Sequence, residues 1–159
     1  MTEIMNHNAE PARHVPVLPA ETLEALSPRA GGRYLDGTLG LGGHASAVLG
    51  TAPDIELCGL DRDEEAMALA KQRLAVFGNR AHFFHCNYSD FTGPLAELGW
   101  DKIDGALLDI GVSSLQLDEA GRGFSFIGDG PLDMRMDQSS GQPSAQWRMV
   151  CLTMRSSSE

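Results

Sequence analysis

Asp36-Gly37-Thr38-Leu39-Gly40-Leu41-Gly42-Gly43-His44 is the stretch on which the fold turns. It follows a short apolar run and leads into a helix-like one. Glycines at 37, 40, 42 and 43 leave little side-chain bulk. Backbone amides in such a loop can approach phosphate, sugar or carboxylate groups closely. A ligand cradle between a strand and a helix is the expectation, and the flanking residues narrow which ligand.

Working outward, Arg33-Tyr34-Leu35-Asp36 reads as the strand that delivers the loop, and His44 to Leu49 as the helix that leaves it, ended by Gly50 and Pro53. Ile55 to Leu60 reads as a second strand ending in Asp61. Asp63 is placed to cap the next helix, whose Ala66, Leu69, Ala70, Leu74 and Phe77 recur at helical spacing until Gly78. Ala81 to Cys86 is a third strand, Pro94 to Leu98 a short helix, and Ile103 to Leu108 a fourth strand ending in Asp109. Upstream, two prolines bracket an extended run from His14 to Leu18, and Pro19 to Leu26 reads as a short helix with Leu23 and Leu26 inward. The alternation predicts a parallel, doubly wound α/β sheet. Right-handed crossovers then set the four strand ends along one edge, where ligands bind.

The rest of the chain is less regular. Met1 to Arg13 reads as a disordered leader. Gly111 to Met136 has no clear period, as expected of a functional or disordered loop. From Gln138 onward no element is expected before Trp147, and Trp147 to Glu159 reads as neither an amphipathic helix nor a buried strand.

The chain's 159 residues suffice for one domain with a real core. No apolar run is long enough for a membrane span, and the polar N-terminus has no secretory h-region. Cys58, Cys86 and Cys151 form no CxxC, which points to reduced thiols in a cytoplasmic protein and away from zinc. A net charge of −10 excludes binding nucleic acid through a broad basic face. Any such surface is local or lies outside these residues.

Each strand end carries polar residues: Asp36, Asp61, Asn87-Tyr88 and Asp109. Gly40 to Ala45 fits G-x-G-x-x-G/A, with Asp61 about twenty residues on and able to accept from both hydroxyls of a ribose. NAD, FAD and S-adenosylmethionine fit that pattern equally. Asp36 at the head of the loop favours adenosylmethionine, since it suits a methionine ammonium and not a pyrophosphate. Asp109 to Ser114 stands where a methyl acceptor would be held. Phe124 and Phe126 are candidates for stacking on a base, or core residues. Arg122 and Arg135 are candidates for phosphate contacts, or for surface ion pairs. Asp129, Asp133 and Asp137 have no recognised metal-ligand spacing, so no metal is expected. His82 and His85 fall on opposite faces of a strand and read as structural.

HVPVL at 14–18, DGTLGLGGH at 36–44, DRD at 61–63, LLDIGVSSLQLD at 107–118, RGFSF at 122–126 and DGPLDMRMD at 129–137 together resemble the bacterial 16S ribosomal RNA cytosine-N(4)-methyltransferase family. The resemblance covers His14 to Gly141, about the first half of a family member. It divides the chain into a leader (1–13), part of a methyltransferase domain (14–141) and a tail outside the family pattern (142–159). It implies a Rossmann-like methyltransferase fold without its later strands and inserted helical region, and hence weak cofactor binding and little activity for this chain alone. It also implies methyl transfer from S-adenosylmethionine to a cytidine in the decoding centre of the small ribosomal subunit. Carried over, Gly42, Gly43 and His44 would contact the cofactor, Asp61 its ribose and Tyr88 its adenine, with Asp109 and Gln116 completing the set. Asp109 is also the carboxylate best placed to take the amine proton, and the two roles stay open at this point, as does that of a structural cap. Two other readings remain: a non-catalytic nucleotide- or adenosylmethionine-binding chain, and an NAD-dependent oxidoreductase.

Overall fold

The computed structural model describes residues 18–145. The leader, the run from His14 to Val17 and the tail beyond residue 145 lie outside them. Leu18, the last residue of the run expected to be extended, takes the left-handed region (φ 49°) and starts the first helix instead.

Four strands form one sheet: β1 (Arg33–Asp36), β2 (Glu56–Asp61), β3 (Ala81–His85) and β4 (Gly105–Leu107). Every pairing is parallel, in the order β3-β2-β1-β4. Leu35 of β1 lies level with Cys58 of β2 on one side and Ala106 of β4 on the other. The strand order reverses between β1 and β4. In an open α/β sheet the binding crevice lies at that switch point, beyond the carboxyl ends of the strands. Helices α1 (Pro19–Leu26), α2 (Gly43–Leu49), α3 (Glu64–Leu74), α4 (Thr92–Glu97) and α5 (Ser114–Asp118) accompany the strands.

Alternate strand residues point to opposite layers, as the pleat requires. Tyr34 and Leu57 join Leu39, Val48, Leu49, Ile55, Ala70 and Leu74 in one core, with Leu23 and Leu26 of α1 packed against it. Leu35, Cys58 and Leu60 join Leu95 and Trp100 on the other face. Each large apolar side chain fully buried here contributes about 1.5–3 kcal/mol. Burial also pushes the Cys58 thiol up to about 12, which keeps it a thiol. His82 Nε2 lies 3.2 Å from Glu56 Oε2, and His85 Nε2 lies 2.9 Å from the Arg62 carbonyl.

Several details differ from the sequence reading, most of them element ends shifted by one or two residues. On α3 the inward residues are Ala66, Met67, Ala70 and Leu74, while Leu69 is 40% exposed. At 100° per residue Met67 completes the buried arc and Leu69 falls outside it. The helix ends at Leu74 in a 3-10 turn (Ala75–Arg80) that Gly78 breaks at φ 59°. β4 is shorter than expected, Gly105–Leu107 in place of Ile103 to Leu108, and its last backbone bond to the neighbouring chain runs from Gly37 N to the Leu107 carbonyl at 3.0 Å. Finally, the irregular segment contains α5. A capping box starts it: Ser113 Oγ accepts from Gln116 N at 3.2 Å, and Gln116 Oε1 accepts from Ser113 N at 3.0 Å. Ser113-x-x-Gln116 is the sequence signature of that box.

Gly42 caps α2 at φ +73°, and a Cβ there would stand 3.1 Å from Leu74 Cδ1. Gly42→Ala therefore meets left-handed strain and crowding together. A stability loss of about 1–2 kcal/mol is expected, read as a lower urea midpoint.

Candidate functional site

A cavity of about 280 Å³ opens at the carboxyl ends of the strands. Gly37, Thr38, Gly40, Gly43 and His44 of the β1–α2 loop form one wall. Asp61 and Asp63 follow β2, Tyr88 follows β3, and Asp109 to Ser113 with Gln116 follow β4; Met136 reaches in from the irregular segment. Of the residues expected to hold a cofactor, Gly43, His44, Asp61, Tyr88, Asp109 and Gln116 meet here. Gly42 and Asp36 do not. Gly42 turns toward Ala70 and Leu74 of α3, so it serves packing and not the cavity.

Asp61 shapes the loop. Its Oδ2 accepts from Gly40 N at 2.6 Å and its Oδ1 from Asp63 N at 2.8 Å. Leu39 N donates to the Leu60 carbonyl at 2.9 Å, and the Leu39 side chain lies over Gly59, where a Cβ would come within 2.8 Å of Leu39 Cδ1. The glycine loop is thus pinned to the end of β2 by one carboxylate and one leucine.

Asp36 is 2% exposed, outside the cavity lining. Its Oδ1 accepts from Thr38 N at 3.1 Å. Burial pushes its carboxyl up to about 7; the Thr38 hydrogen bond opposes this, and Asp61 and Asp109 add to it. A direct contact with an ammonium is not what this geometry offers; the residue is a partly protonated support under the loop. Between the unfolded carboxylate pKa, about 3.9, and 7, the folded state holds the proton more tightly. Stability from this group is therefore highest at low pH and falls as pH rises toward 7. Asp36→Asn keeps the acceptor for Thr38 N. It is expected to raise the melting temperature at pH 8 and to change it little at pH 4, a difference that paired thermal melts will read.

Asp109 stands at the cavity mouth with its side chain 53% exposed. Its N–H donates to Thr38 Oγ1 at 2.7 Å, and its Oδ2 lies 3.7 Å from His44 Nε2. The His44 side chain is 11% exposed, and its Nδ1 is buried without a hydrogen-bond partner among the described residues.

Asp63 does more than cap α3. Its Oδ1 accepts from Glu65 N and Ala66 N, while its Oδ2 accepts from Gln116 Nε2 at 3.0 Å and Arg122 Nη2 at 2.6 Å. Burial pushes this carboxyl up, but the Arg122 and Gln116 hydrogen bonds outweigh burial and hold it below the ordinary carboxylate range. Arg122, 3% exposed, also donates to the carbonyls of Arg135 and Met136. Its guanidinium is buried against Asp63 and these carbonyls, with Nε left without a partner among the described residues, which corrects the reading of Arg122 as a phosphate contact. Gln116 is likewise occupied on both ends of its amide. Arg135 is tied to Asp133 through Nε at 2.7 Å and Nη2 at 2.9 Å, so the ion-pair reading describes it. Phe124 is half-buried and Phe126 fully exposed, and neither lines the cavity. Thr38, Asp63 and Met136 also line the cavity, and the sequence reading had not singled them out for a ligand.

The sequence model of the MraW methylase family matches residues 11–150. This chain belongs to the MraW methylase family. Ribosomal RNA small subunit methyltransferase H of Desulfovibrio desulfuricans is 76% identical over 150 residues, covering 94% of this chain and 46% of that protein. The protein of the same name from Nitratidesulfovibrio vulgaris is 64% identical over 133 residues, 83% of this chain and 37% of that one. The chain spans less than half the length of these two relatives. Among solved structures, TrmN from Thermus thermophilus aligns with a TM-score of 0.41 at 28% identity, over 45% of this chain and 22% of that one. The parallel sheet and the family together make the fold a Rossmann-like α/β fold of the methyltransferase type, as the sequence reading expected, and leave the oxidoreductase reading without support.

Proposed function

We propose that this chain carries the cofactor site of an S-adenosylmethionine-dependent methyltransferase that modifies N(4) of a cytidine of 16S ribosomal RNA, in the decoding region of the small subunit and in the cytoplasm. The observation that carries the proposal is a strand-end cavity, lined by the glycine loop, Asp61 and Asp109, in a chain of the MraW methylase family. The names of the relatives support ribosomal RNA of the small subunit as substrate.

The lining suits adenosylmethionine. Its volume, about 280 Å³, lies at the lower edge of the range for small-molecule sites. Asp61 uses one lone pair on each oxygen for the backbone and keeps others for ribose hydroxyls. Tyr88, 41% exposed, offers a flat face for adenine. Two carboxylates, Asp61 and Asp109, favour a cationic sulfonium and disfavour a pyrophosphate. Bound adenosylmethionine would supply a methyl group activated by its positive sulfur.

The chain's residues supply placement and proton acceptance. A cytosine amine is a poor nucleophile, because its lone pair is delocalised into the ring. It attacks well only when held in line, and it sheds a proton as the new bond forms. Asp109, anchored by Thr38 yet half-exposed at the mouth, is the acceptor for that proton.

Calorimetric titration with S-adenosylhomocysteine and NAD tests the cofactor. Saturable binding of the first alone is expected; binding of NAD alone would overturn the proposal. Transfer of labelled methyl to assembled small subunits, mapped to the modified nucleotide, tests the substrate and separates catalysis from binding alone.

A further inference from the structure

We infer that Thr38 is a positioning residue that sets the place of Asp109. The inference rests on reading the cavity as a cofactor site. β1 and β4 run side by side until Asp36 and Leu107, and the last backbone rung joins Gly37 N to the Leu107 carbonyl at 3.0 Å. Beyond it the strands diverge to opposite sides of the switch point, and a side chain continues the ladder. Thr38 Oγ1 accepts from Asp109 N at 2.7 Å, across 71 residues of sequence.

Of the residues on either side of Asp109, Leu108 touches the loop only with its side chain, at Gly37. Leu108 is 49% exposed and Ile110 73% exposed, so both are only partly held by packing. His44 Nε2, at 3.7 Å, is beyond hydrogen-bond distance from the Asp109 carboxylate. Thr38 itself is fixed, because its N–H donates to the buried Asp36 carboxylate at 3.1 Å. A chain of contacts thus runs from the buried Asp36, through Thr38, to the carboxylate at the cavity mouth. The glycine loop and Asp109 then keep one relative position whatever the rest of the irregular segment does.

Thr38→Val keeps the shape and removes the acceptor, and Thr38→Ser keeps the acceptor. Two measurements on the chain test the role. Amide hydrogen exchange at Asp109 reports the contact without any ligand, and titration with S-adenosylhomocysteine reports its consequence. Thr38→Val is expected to speed exchange at Asp109 about tenfold and to weaken binding about tenfold, with Thr38→Ser near wild type in both. The melting temperature should hardly move, since water replaces the lost acceptor at this half-exposed position. Wild-type exchange or wild-type affinity in Thr38→Val would overturn the inference, and so would a Ser variant that behaves like Val. A wild-type chain that fails to bind S-adenosylhomocysteine would overturn the cofactor reading, and the exchange measurement would then decide alone whether Thr38 holds Asp109.

Discussion

Arg122→Ala is expected to cost about 3 kcal/mol of stability, the low end of the range for breaking a buried ion pair. Arg122 and Asp63 are 3% and 4% exposed at their side chains, so water cannot replace the lost partner. Asp63 keeps its bonds to Gln116, Glu65 N and Ala66 N, which holds the loss to that low end. Two further acceptors, the Arg135 and Met136 carbonyls, lose their donor at the same time. A melting temperature lower by about 10 °C follows for a domain of this size. Arg122→Lys retains the charge without the planar fork and should fall between the two. The effect has a defined pH dependence. Asp63 titrates lower folded than unfolded, so the stability it contributes is full above about pH 4, the unfolded value, and is lost as pH falls through the folded one. The gap between wild type and Arg122→Ala should therefore close in acid. A gap that stays constant from pH 7 to pH 2 would show that the lost stability is packing and not charge.

Asp61→Asn is expected to weaken S-adenosylmethionine binding about 100-fold, which corresponds to about 2.7 kcal/mol. Both carboxylate oxygens accept backbone amides, from Gly40 and from Asp63. Asparagine has one oxygen to offer, so its NH2 group must face one of these N–H donors. An unmatched donor pair of this kind costs about 1–3 kcal/mol. The Gly40 side of the loop would shift, and the ribose would lose an anionic acceptor as well. Isothermal titration reads the affinity directly, and binding within twofold of wild type would remove Asp61 from the site. Circular dichroism separates this from unfolding, which would abolish the signal of helices and sheet.

The strand–loop–helix order was legible because its signals are local. Short apolar runs mark β1 and β2, and Gly42, Gly50 and Gly78 stand where helices start or stop. Asp63 as a cap followed from its residue type and its place before α3. Its bonds to Gln116 and Arg122 were not legible, because they close 53 and 59 residues of chain. Arg122 sits in a glycine-flanked stretch that looks exposed, and no periodicity there announces burial. Leu69 and Met67 exchanged places for a smaller reason: both fit an apolar pattern, and only the angle at which α3 meets the sheet decides between them.

By itself the sequence determined a parallel α/β order, a glycine loop between its first strand and helix, and carboxylates at the ends of three strands. These follow from backbone propensity and from periods of two and 3.6 residues, which act over a few positions. Tertiary structure alone decided which carboxylates meet a ligand. Parallel crossovers bring Asp61 and Asp109 to one cavity, while the sheet's own packing buries Asp36 and pushes its carboxyl up to about 7. It likewise decided that Arg122 faces inward to Asp63. Desolvation and charge pairing depend on what surrounds a side chain in space, and that is set by chain segments far apart in the sequence.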